Sequence, residues 1–169
     1  MCSTPSSSCR RRSRSGRRSA LLPAISDIER LLAALPDVAV AEELLGVVAR
    51  VSLADAVPAL VAIKAAGYES LVDFDGIDTG ELIELTYRLR SYALDTELYV
   101  KTSVAYGGTI ESVWYEYPSA LMPERETAEL LGLHLAGHPN PKRLLTTDGV
   151  PPLLRKDVLI RSVEEVKAR

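Results

Sequence analysis

Two stretches in the middle of the chain alternate between largely apolar and largely polar positions, over residues 83–90 and 97–104. A period of two places the apolar side chains on one face of a strand and the polar side chains on the other. Only a short segment separates the two stretches, which predicts neighbouring antiparallel strands with one buried face. The residues predicted to point into the core are Ile83, Leu85, Tyr87, Leu89, Leu98, Val100, Thr102 and Val104.

Weaker patterns predict more strands on either side of this pair. Residues 38–42 form a short apolar run, and residues 47–53 alternate in the same way as the central pair. Residues 71–77 predict a third strand with a bend at Gly76, because glycine inside a strand often marks an irregularity. The acidic residues of this stretch are Asp73, Asp75 and Asp78. A calcium-binding loop also needs a glycine at its sixth position and a glutamate at its twelfth, which do not follow here, so we interpret these residues as solvated acids.

Helical periodicity appears in two places in the first half of the chain. Residues 26–35 carry an apolar stripe, and Ser26 with Glu29 forms a predicted capping box at its start. A second helix is predicted to begin at the N-cap residue Asp55 and to end before Gly67.

A third helix is predicted between Pro123 and Gly132. Proline suits the first turn of a helix, and glycine suits the position just after its end. Arg125 and Glu129 lie four residues apart and are expected to face each other. Glycines and prolines then exclude a long helix over residues 133–141.

These elements predict an α+β domain over residues 23–146, with a mostly antiparallel sheet covered by helices on one face. Residues 147–169 follow as an extended C-terminal arm with a short amphipathic helix around residues 158–168. Little in the sequence would bury this arm within the domain, so we expect it to lie on a partner.

The charge of the chain is distributed unevenly. Its 169 residues have a net charge of −3, but residues 1–20 hold six arginines and no acidic residue, which leaves 14 basic and 23 acidic residues, or −9, for the rest. We interpret residues 1–22 as a disordered Arg/Ser-rich extension, with an organellar transit peptide as the alternative. An acidic body argues against nucleic-acid binding, although an arginine-rich tail keeps that hypothesis open.

Few residues carry recognisable cofactor or catalytic chemistry. Both cysteines, Cys2 and Cys9, lie in the N-terminal extension, so the body has no thiolate for an iron–sulfur cluster. No apolar run reaches the roughly twenty residues of a membrane span. No phosphate-binding loop, dinucleotide fingerprint or nucleophile elbow occurs. His134 and His138 have helical spacing for zinc, but the intervening glycine argues against a helix there.

Five short segments of the C-terminal half together resemble a known family. They are Glu124-Arg125-Glu126, Glu129-Leu130-Leu131-Gly132, Gly137-His138-Pro139, Lys142-Arg143-Leu144-Leu145 and Leu154-Arg155-Lys156-Asp157. Their order and spacing resemble the signature of the thirty-kilodalton subunit of respiratory complex I, the NADH-quinone oxidoreductase. The family also includes the equivalent subunits of energy-converting membrane-bound [NiFe] hydrogenases. The chain departs from the pattern where Ala120–Pro123 replaces an aromatic residue, where Glu129 replaces aspartate and where Lys142-Arg143 stands for an arginine pair.

The resemblance implies an accessory subunit of the peripheral arm without an active site of its own. Such a subunit docks on the large hydrogenase-like subunit beside the small iron–sulfur subunit and supports electron transfer to quinone coupled to proton translocation. It binds no cofactor, since FMN, iron–sulfur clusters or a nickel–iron centre are expected in partner subunits. The expected location is the cytoplasmic face of the cell membrane, or alternatively the matrix side of the mitochondrial inner membrane. The alternative function is the equivalent subunit of a membrane-bound [NiFe] hydrogenase or formate hydrogenlyase.

We expect the charged motif to be a docking surface, because charge-assisted hydrogen bonds across an interface set register and orientation. A rival hypothesis is a free-standing hydrolase or metalloprotein that uses Glu124, Glu126 and His138. The predicted partner-interface residues are Glu124, Arg125, Glu126, Glu129, Gly132, His138, Pro139, Arg143, Arg155, Lys156 and Asp157.

Overall fold

The computed structural model describes residues 24–44 and 46–159, so the predicted extension over residues 1–22 and most of the predicted helix around residues 158–168 lie outside it. Within that part, three α-helices, seven strands and one short 3₁₀ helix, Pro118–Ala120, follow one another. In chain order they are α1 (Ile25–Leu32), β1 (Ala39–Glu43), β2 (Gly46–Arg50), α2 (Ala56–Ala65), β3 (Ser70–Asp78), β4 (Ile83–Ser91), β5 (Thr96–Val104), β6 (Thr109–Glu111), α3 (Leu121–Leu131) and β7 (His134–Ala136).

Five strands form one sheet in the order β1-β2-β5-β4-β3. The pair β2 and β5 is parallel, whereas the other three neighbouring pairs are antiparallel. The predicted central pair is confirmed: β4 and β5 are antiparallel over their full lengths, from Ile83 opposite Val104 to Ser91 opposite Thr96. The sheet is therefore mostly antiparallel, as the sequence pattern predicted.

The core lies on one face of this sheet, beneath the helices. The inward residues of β4 are at most 2% exposed, and they pack with α1, α2 and α3 in a single cluster. Ile28, Leu60, Ile63 and Leu131 are the helix residues that anchor it. Burial of such side chains contributes roughly 1.5–3 kcal/mol each, which explains why the helices share one face. The predicted one-sided α+β architecture is confirmed.

The opposite face of the sheet is covered by ion pairs. Glu84 accepts hydrogen bonds from Arg50 at 2.8 Å and from Lys101 at 2.8 Å. Glu97 accepts hydrogen bonds from Arg88 at 2.9 Å and from Arg90 at 2.8 Å. Alternation in β4 and β5 places these charges side by side across strands, where opposite charges stabilise pairing.

The free edge of the sheet at β3 has two features of its own. Asp73 accepts a hydrogen bond from the N–H of Phe74, and Asp75 accepts one from the N–H of Gly76. The register shifts between Leu71 and Asp73, not at Gly76, where a bend was predicted. Gly76 is required for packing instead: a Cβ there would lie 2.9 Å from Thr127 Cγ2 of α3.

Helix starts differ from the predictions. Helix α1 begins after Ala24 without a side-chain cap, so the predicted capping box of Ser26 and Glu29 is wrong. Asp55 does occupy the N-cap position of α2, but its carboxylate accepts a hydrogen bond from the Ser52 hydroxyl instead of from a helix N–H. Helix α3 begins at Leu121, two residues before Pro123, because the 3₁₀ helix leads directly into it.

A second, two-stranded sheet joins the segments on either side of α3. Strands β6 and β7 pair in parallel, with Ile110 opposite Leu135. The sequence excluded a long helix over residues 133–141 but gave no sign of a strand there, so β7 is an element that the sequence pattern missed. Within the described segments, none of the helices has the length and apolar character that a membrane crossing needs.

Candidate docking site

The predicted interface residues gather around α3 and the two segments that follow it, but they differ in exposure. Glu124 is 1% exposed and His138 is 8% exposed, so both belong to the interior. The half-buried members are Arg125, Glu129, Gly132, Arg143 and Arg155. The exposed members are Glu126, Pro139, Lys156 and Asp157.

Glu124 connects α3 to the segment that follows β6. Its carboxylate accepts hydrogen bonds from the Ser112 hydroxyl at 2.5 Å and from the Val113 N–H at 2.7 Å. Burial raises the pKa of Glu124, and these hydrogen bonds and nearby His138 only partly oppose that effect. The carboxylate is thus a structural acceptor within the chain.

His138 fixes the loop after β7. Its Nδ1 accepts the Asn140 N–H at 3.0 Å, and its Nε2 lies 3.0 Å from the Leu121 carbonyl. Because Nδ1 accepts a hydrogen bond, Nε2 is the ring nitrogen that can donate to that carbonyl. His138 therefore holds the conformation of this loop through contacts on both ring nitrogens.

Glu129 holds the following loop by its backbone. Its carboxylate accepts the N–H groups of Leu144, Leu145 and Thr146 and the hydroxyl of Thr146. Burial of the side chain raises the pKa of Glu129, but the four donors outweigh burial and bring it down to about 2. Residues 144–146 therefore wrap a carboxylate that stays ionised at neutral pH.

Arg125 holds the preceding part of the same loop. Its Nε donates to the Lys142 carbonyl at 2.8 Å, and its Nη2 donates to the Arg143 carbonyl at 2.9 Å. The predicted pairing of Arg125 with Glu129 across one helical turn is therefore wrong, because each side chain reaches the loop instead. Arg143 in turn donates to the Thr146 hydroxyl and, at 2.7 Å, to the Val150 carbonyl.

The segment 150–158, which we call the strap, returns across α3. Pro152 packs against Gly132, whose φ of 69° ends α3 in the left-handed conformation expected of a C-terminal glycine. The Leu154 N–H donates to the Leu130 carbonyl at 2.9 Å. These contacts attach the strap to the domain, although each of its residues stays half-buried or exposed.

The motif residues form no catalytic arrangement in the described part of the chain. Glu124 is buried, whereas Glu126 is exposed two positions further along α3, so the two do not form a carboxylate pair. His134 is exposed on β7 and His138 is buried. Between residues 24 and 159, leaving out residue 45, no group of three histidine, cysteine or acidic side chains is arranged to hold a metal ion.

Sequence reasoning missed the partners of the motif. Ser112 and Thr146 belong to no motif and carried no signal of their role. Asp78, which we interpreted as a solvated acid, is 5% exposed and hydrogen-bonded to Tyr106. Of two neighbouring tyrosines, Tyr115 is exposed, whereas Tyr117 is buried and donates a hydrogen bond to the Tyr68 carbonyl.

Two clefts flank α3. One of about 540 Å³ is lined by Arg125, Glu129, His134, Lys142, Val150 and Pro152. The other, of about 260 Å³, is lined in part by Asp75, Glu126, Leu130 and Leu154. Glu126 and Leu154, which line this second cleft, are exposed, as are Met122 on α3 and Lys156 on the strap.

The fold and the site define a class of small α+β protein in which a charged helix holds two following segments in place. The sequence profile described as "Respiratory-chain NADH dehydrogenase, 30 Kd subunit" matches residues 47–164. The chain belongs to this family, which confirms the resemblance drawn from its motifs.

Curated relatives show the same likeness. The chain is 35% identical over 104 residues to the NADH-quinone oxidoreductase subunit designated C of Rhodopseudomonas palustris (strain TIE-1), which covers 58% of this chain and 50% of that protein. It is 36% identical over 106 residues to the NAD(P)H-quinone oxidoreductase subunit designated J of Synechococcus sp. (strain RCC307), covering 57% and 60%. The chain thus spans about half the length of the R. palustris relative.

Two solved structures share the fold. A chain of the membrane-bound sulfane sulfur reductase, an archaeal respiratory membrane complex, superposes with a TM-score of 0.69 at 21% identity, covering 85% of this chain and 88% of that one. The trypsin-resistant fragment (1-134) of Nqo5 superposes with a TM-score of 0.59 at 22% identity, covering 68% and 96%.

Proposed function

We propose that this chain is an accessory subunit in the peripheral arm of a complex I-type NADH-quinone oxidoreductase. It docks on the large hydrogenase-like subunit beside the small iron–sulfur subunit and supports electron transfer to quinone coupled to proton translocation. The redox cofactors belong to those partners, and the assembly lies on the cytoplasmic face of the cell membrane. The family match over residues 47–164 carries this proposal.

The predicted interface residues differ in whether their side chains are held within the chain or exposed to solvent. Three of the charged side chains form hydrogen bonds within the chain and hold its loops: Glu124, Arg125 and Glu129. The exposed side of α3 and the strap is the part of the motif that a partner can reach. Exposed charged groups here are Glu126 on α3 and Lys156 on the strap, and exposed apolar groups are Met122 and Leu154.

Co-purification of the tagged full chain from its native host tests this surface. The double variant Glu126→Ala, Lys156→Ala removes two exposed charges and should lower recovery of partner subunits about fivefold, equivalent to roughly 1 kcal/mol of binding. Glu29→Ala on α1 is the matched control, because Glu29 is an exposed helical glutamate far along the chain from α3. Undiminished recovery with the double variant, at unchanged thermal stability, would contradict docking through this surface.

A second candidate is the equivalent subunit of a membrane-bound energy-converting [NiFe] hydrogenase or formate hydrogenlyase. The fold is shared with a chain of an archaeal respiratory membrane complex, the membrane-bound sulfane sulfur reductase, so the fold alone does not choose between the two assemblies. The co-purified partners discriminate between the two. An NADH-binding flavoprotein supports complex I, whereas a large subunit with two nickel-binding C-x-x-C motifs supports the hydrogenase.

A further inference from the structure

The strap has almost no regular structure, so its position depends on a few contacts. Two backbone N–H groups tie it to the body of the domain: that of Leu154 to the Leu130 carbonyl, and that of Lys156 to Asp78 Oδ2 at 2.7 Å. Of these two anchors, only Asp78 is a side chain, and it comes from the end of β3, 78 residues earlier in the chain. A substitution at Asp78 can therefore remove the hydrogen bond to the Lys156 N–H.

Asp78 is held in place by groups other than the strap. Its Oδ1 accepts the Tyr106 hydroxyl at 2.6 Å and the Gly80 N–H at 2.7 Å, which leaves Oδ2 for the Lys156 N–H. The hydrogen bond from Tyr106 and the N–H groups lower the pKa of Asp78, and the same bond raises the pKa of Tyr106 to about 12. The carboxylate is thus ionised and fully engaged at neutral pH.

Tyr106 also contacts the strap directly, through its ring. The Arg155 guanidinium lies 4.5 Å from the ring centroid, within the distance of a cation–π interaction. The same guanidinium donates two hydrogen bonds to the Asp157 carboxylate, at 2.8 Å and 2.5 Å. All three residues of the Arg-Lys-Asp motif are therefore engaged within the chain, two by side chains and Lys156 by its backbone.

We propose that Asp78 and Tyr106 form a latch that seats the strap across α3, and that the Arg-Lys-Asp motif acts inside the chain as the other half of this latch. Asp78 and Tyr106 are positioning residues: they contact the strap and set its path. Because Val150 and Pro152 line one cleft beside α3 and Leu154 lines the other, the latch also determines the shape of both clefts. The latch is independent of the proposed function, since it concerns contacts within one chain.

Amide hydrogen exchange in the full chain tests the latch. Asp78→Asn weakens the acceptor for the Lys156 N–H and for Tyr106, so exchange at Leu154 and Lys156 should become at least about tenfold faster. Exchange in β4 and β5 should stay unchanged, which separates a released strap from general destabilisation. Asp73→Asn is the matched control, because it makes the same substitution on the same strand at an exposed carboxylate that bonds only its neighbouring N–H.

Two more variants keep the test decisive if Asp78→Asn folds poorly. Tyr106→Phe removes the hydroxyl but keeps the ring beneath Arg155, and should give a smaller increase in exchange than Asp78→Asn. Arg155→Ala leaves the body of the domain untouched and should also release the strap. Wild-type exchange at Leu154 and Lys156 in both variants, or equal acceleration in β4 and β5, would overturn the latch.

Discussion

At the scale of single residues, two glutamates on one helix show how hydrogen-bond donors decide the state of a buried carboxyl group. Glu124 and Glu129 both lose solvation, and burial alone raises a carboxyl pKa. Glu124 receives two donors and its pKa stays raised, whereas Glu129 receives four and its pKa falls to about 2. Both residues stand in the same motif, so sequence position alone does not predict the difference.

Two substitutions of Glu124 should show how much of its effect on the free energy of unfolding comes from its hydrogen bonds and how much from its charge. Glu124→Ala leaves the Ser112 hydroxyl and the Val113 N–H without an acceptor and should lower the free energy of unfolding by roughly 2–4 kcal/mol. Glu124→Gln can serve both groups without a buried charge and should remain within about 1 kcal/mol of wild type. Chemical denaturation at pH 7 measures both, and equal losses would contradict this account.

Replacing Glu129 should change how stability depends on pH. Its pKa is lowered from 4.5 to about 2 on folding, so the ionised form stabilises the fold above about pH 5. This contribution is lost as the pH falls from about 5 to 2. The difference in unfolding free energy between wild type and Glu129→Gln should therefore be constant above about pH 5 and shrink below it. A Glu29→Gln control should follow wild type throughout, and a pH-independent difference for Glu129→Gln would refute the assignment.

At the scale of elements, the close packing of α3 on β3 depends on one missing side chain. A Cβ at Gly76 would lie 2.9 Å from Thr127 Cγ2 and 3.1 Å from Leu85 Cδ2, and closer still to the Leu131 side chain. The backbone there is extended, so the requirement for glycine is steric and not conformational. The sequence offered only a bend as its explanation, because the opposing helix is more than forty residues away.

Gly76→Ala should lower the free energy of unfolding by about 1–3 kcal/mol through overpacking. In a Leu131→Ala background the added methyl group gains room, so the same substitution should cost at least about 1 kcal/mol less. A double-mutant cycle by chemical denaturation gives this coupling. Additive effects would show that Leu131 is not the group that opposes the methyl.

Strands could be predicted from the sequence where the alternation of apolar and polar residues extended over many positions. Strands β4 and β5 each repeat the alternation over about four apolar positions, which a nine-residue strand requires. Strand β7 has three residues and no repeat to detect. The capping box at Ser26 failed because a cap is a local preference of about 1 kcal/mol, which tertiary packing of α1 outweighs.

At the scale of the whole molecule, the charged motif hydrogen-bonds to loops of its own chain, whereas its charges had predicted contacts with a partner. A sequence shows which residues are charged but not which distant backbone groups they reach. The contacts of Arg125 with residues 142 and 143 and of Asp78 with Lys156 follow from the tertiary fold alone. Exposure of Glu126 and Lys156 was equally invisible in sequence.

The purified full chain should contain less than about 0.1 equivalent of zinc, iron or nickel per molecule. Its cysteines are confined to positions 2 and 9, and the described residues group no set of metal ligands. Mass spectrometry of metals after extensive dialysis measures the content. Stoichiometric zinc that disappears in His138→Ala, but persists in His134→Ala, would favour the metalloprotein hypothesis over the accessory subunit.

The free edge of β3 also affects whether two molecules of this protein can associate by strand pairing. The amide hydrogens of Phe74 and Gly76 are already taken by the carboxylates of Asp73 and Asp75. A strand approaching from a second molecule would find these donors occupied and would meet two negative charges. Polymerisation by strand addition is thereby disfavoured along this edge, even before any other polypeptide is present to shield it.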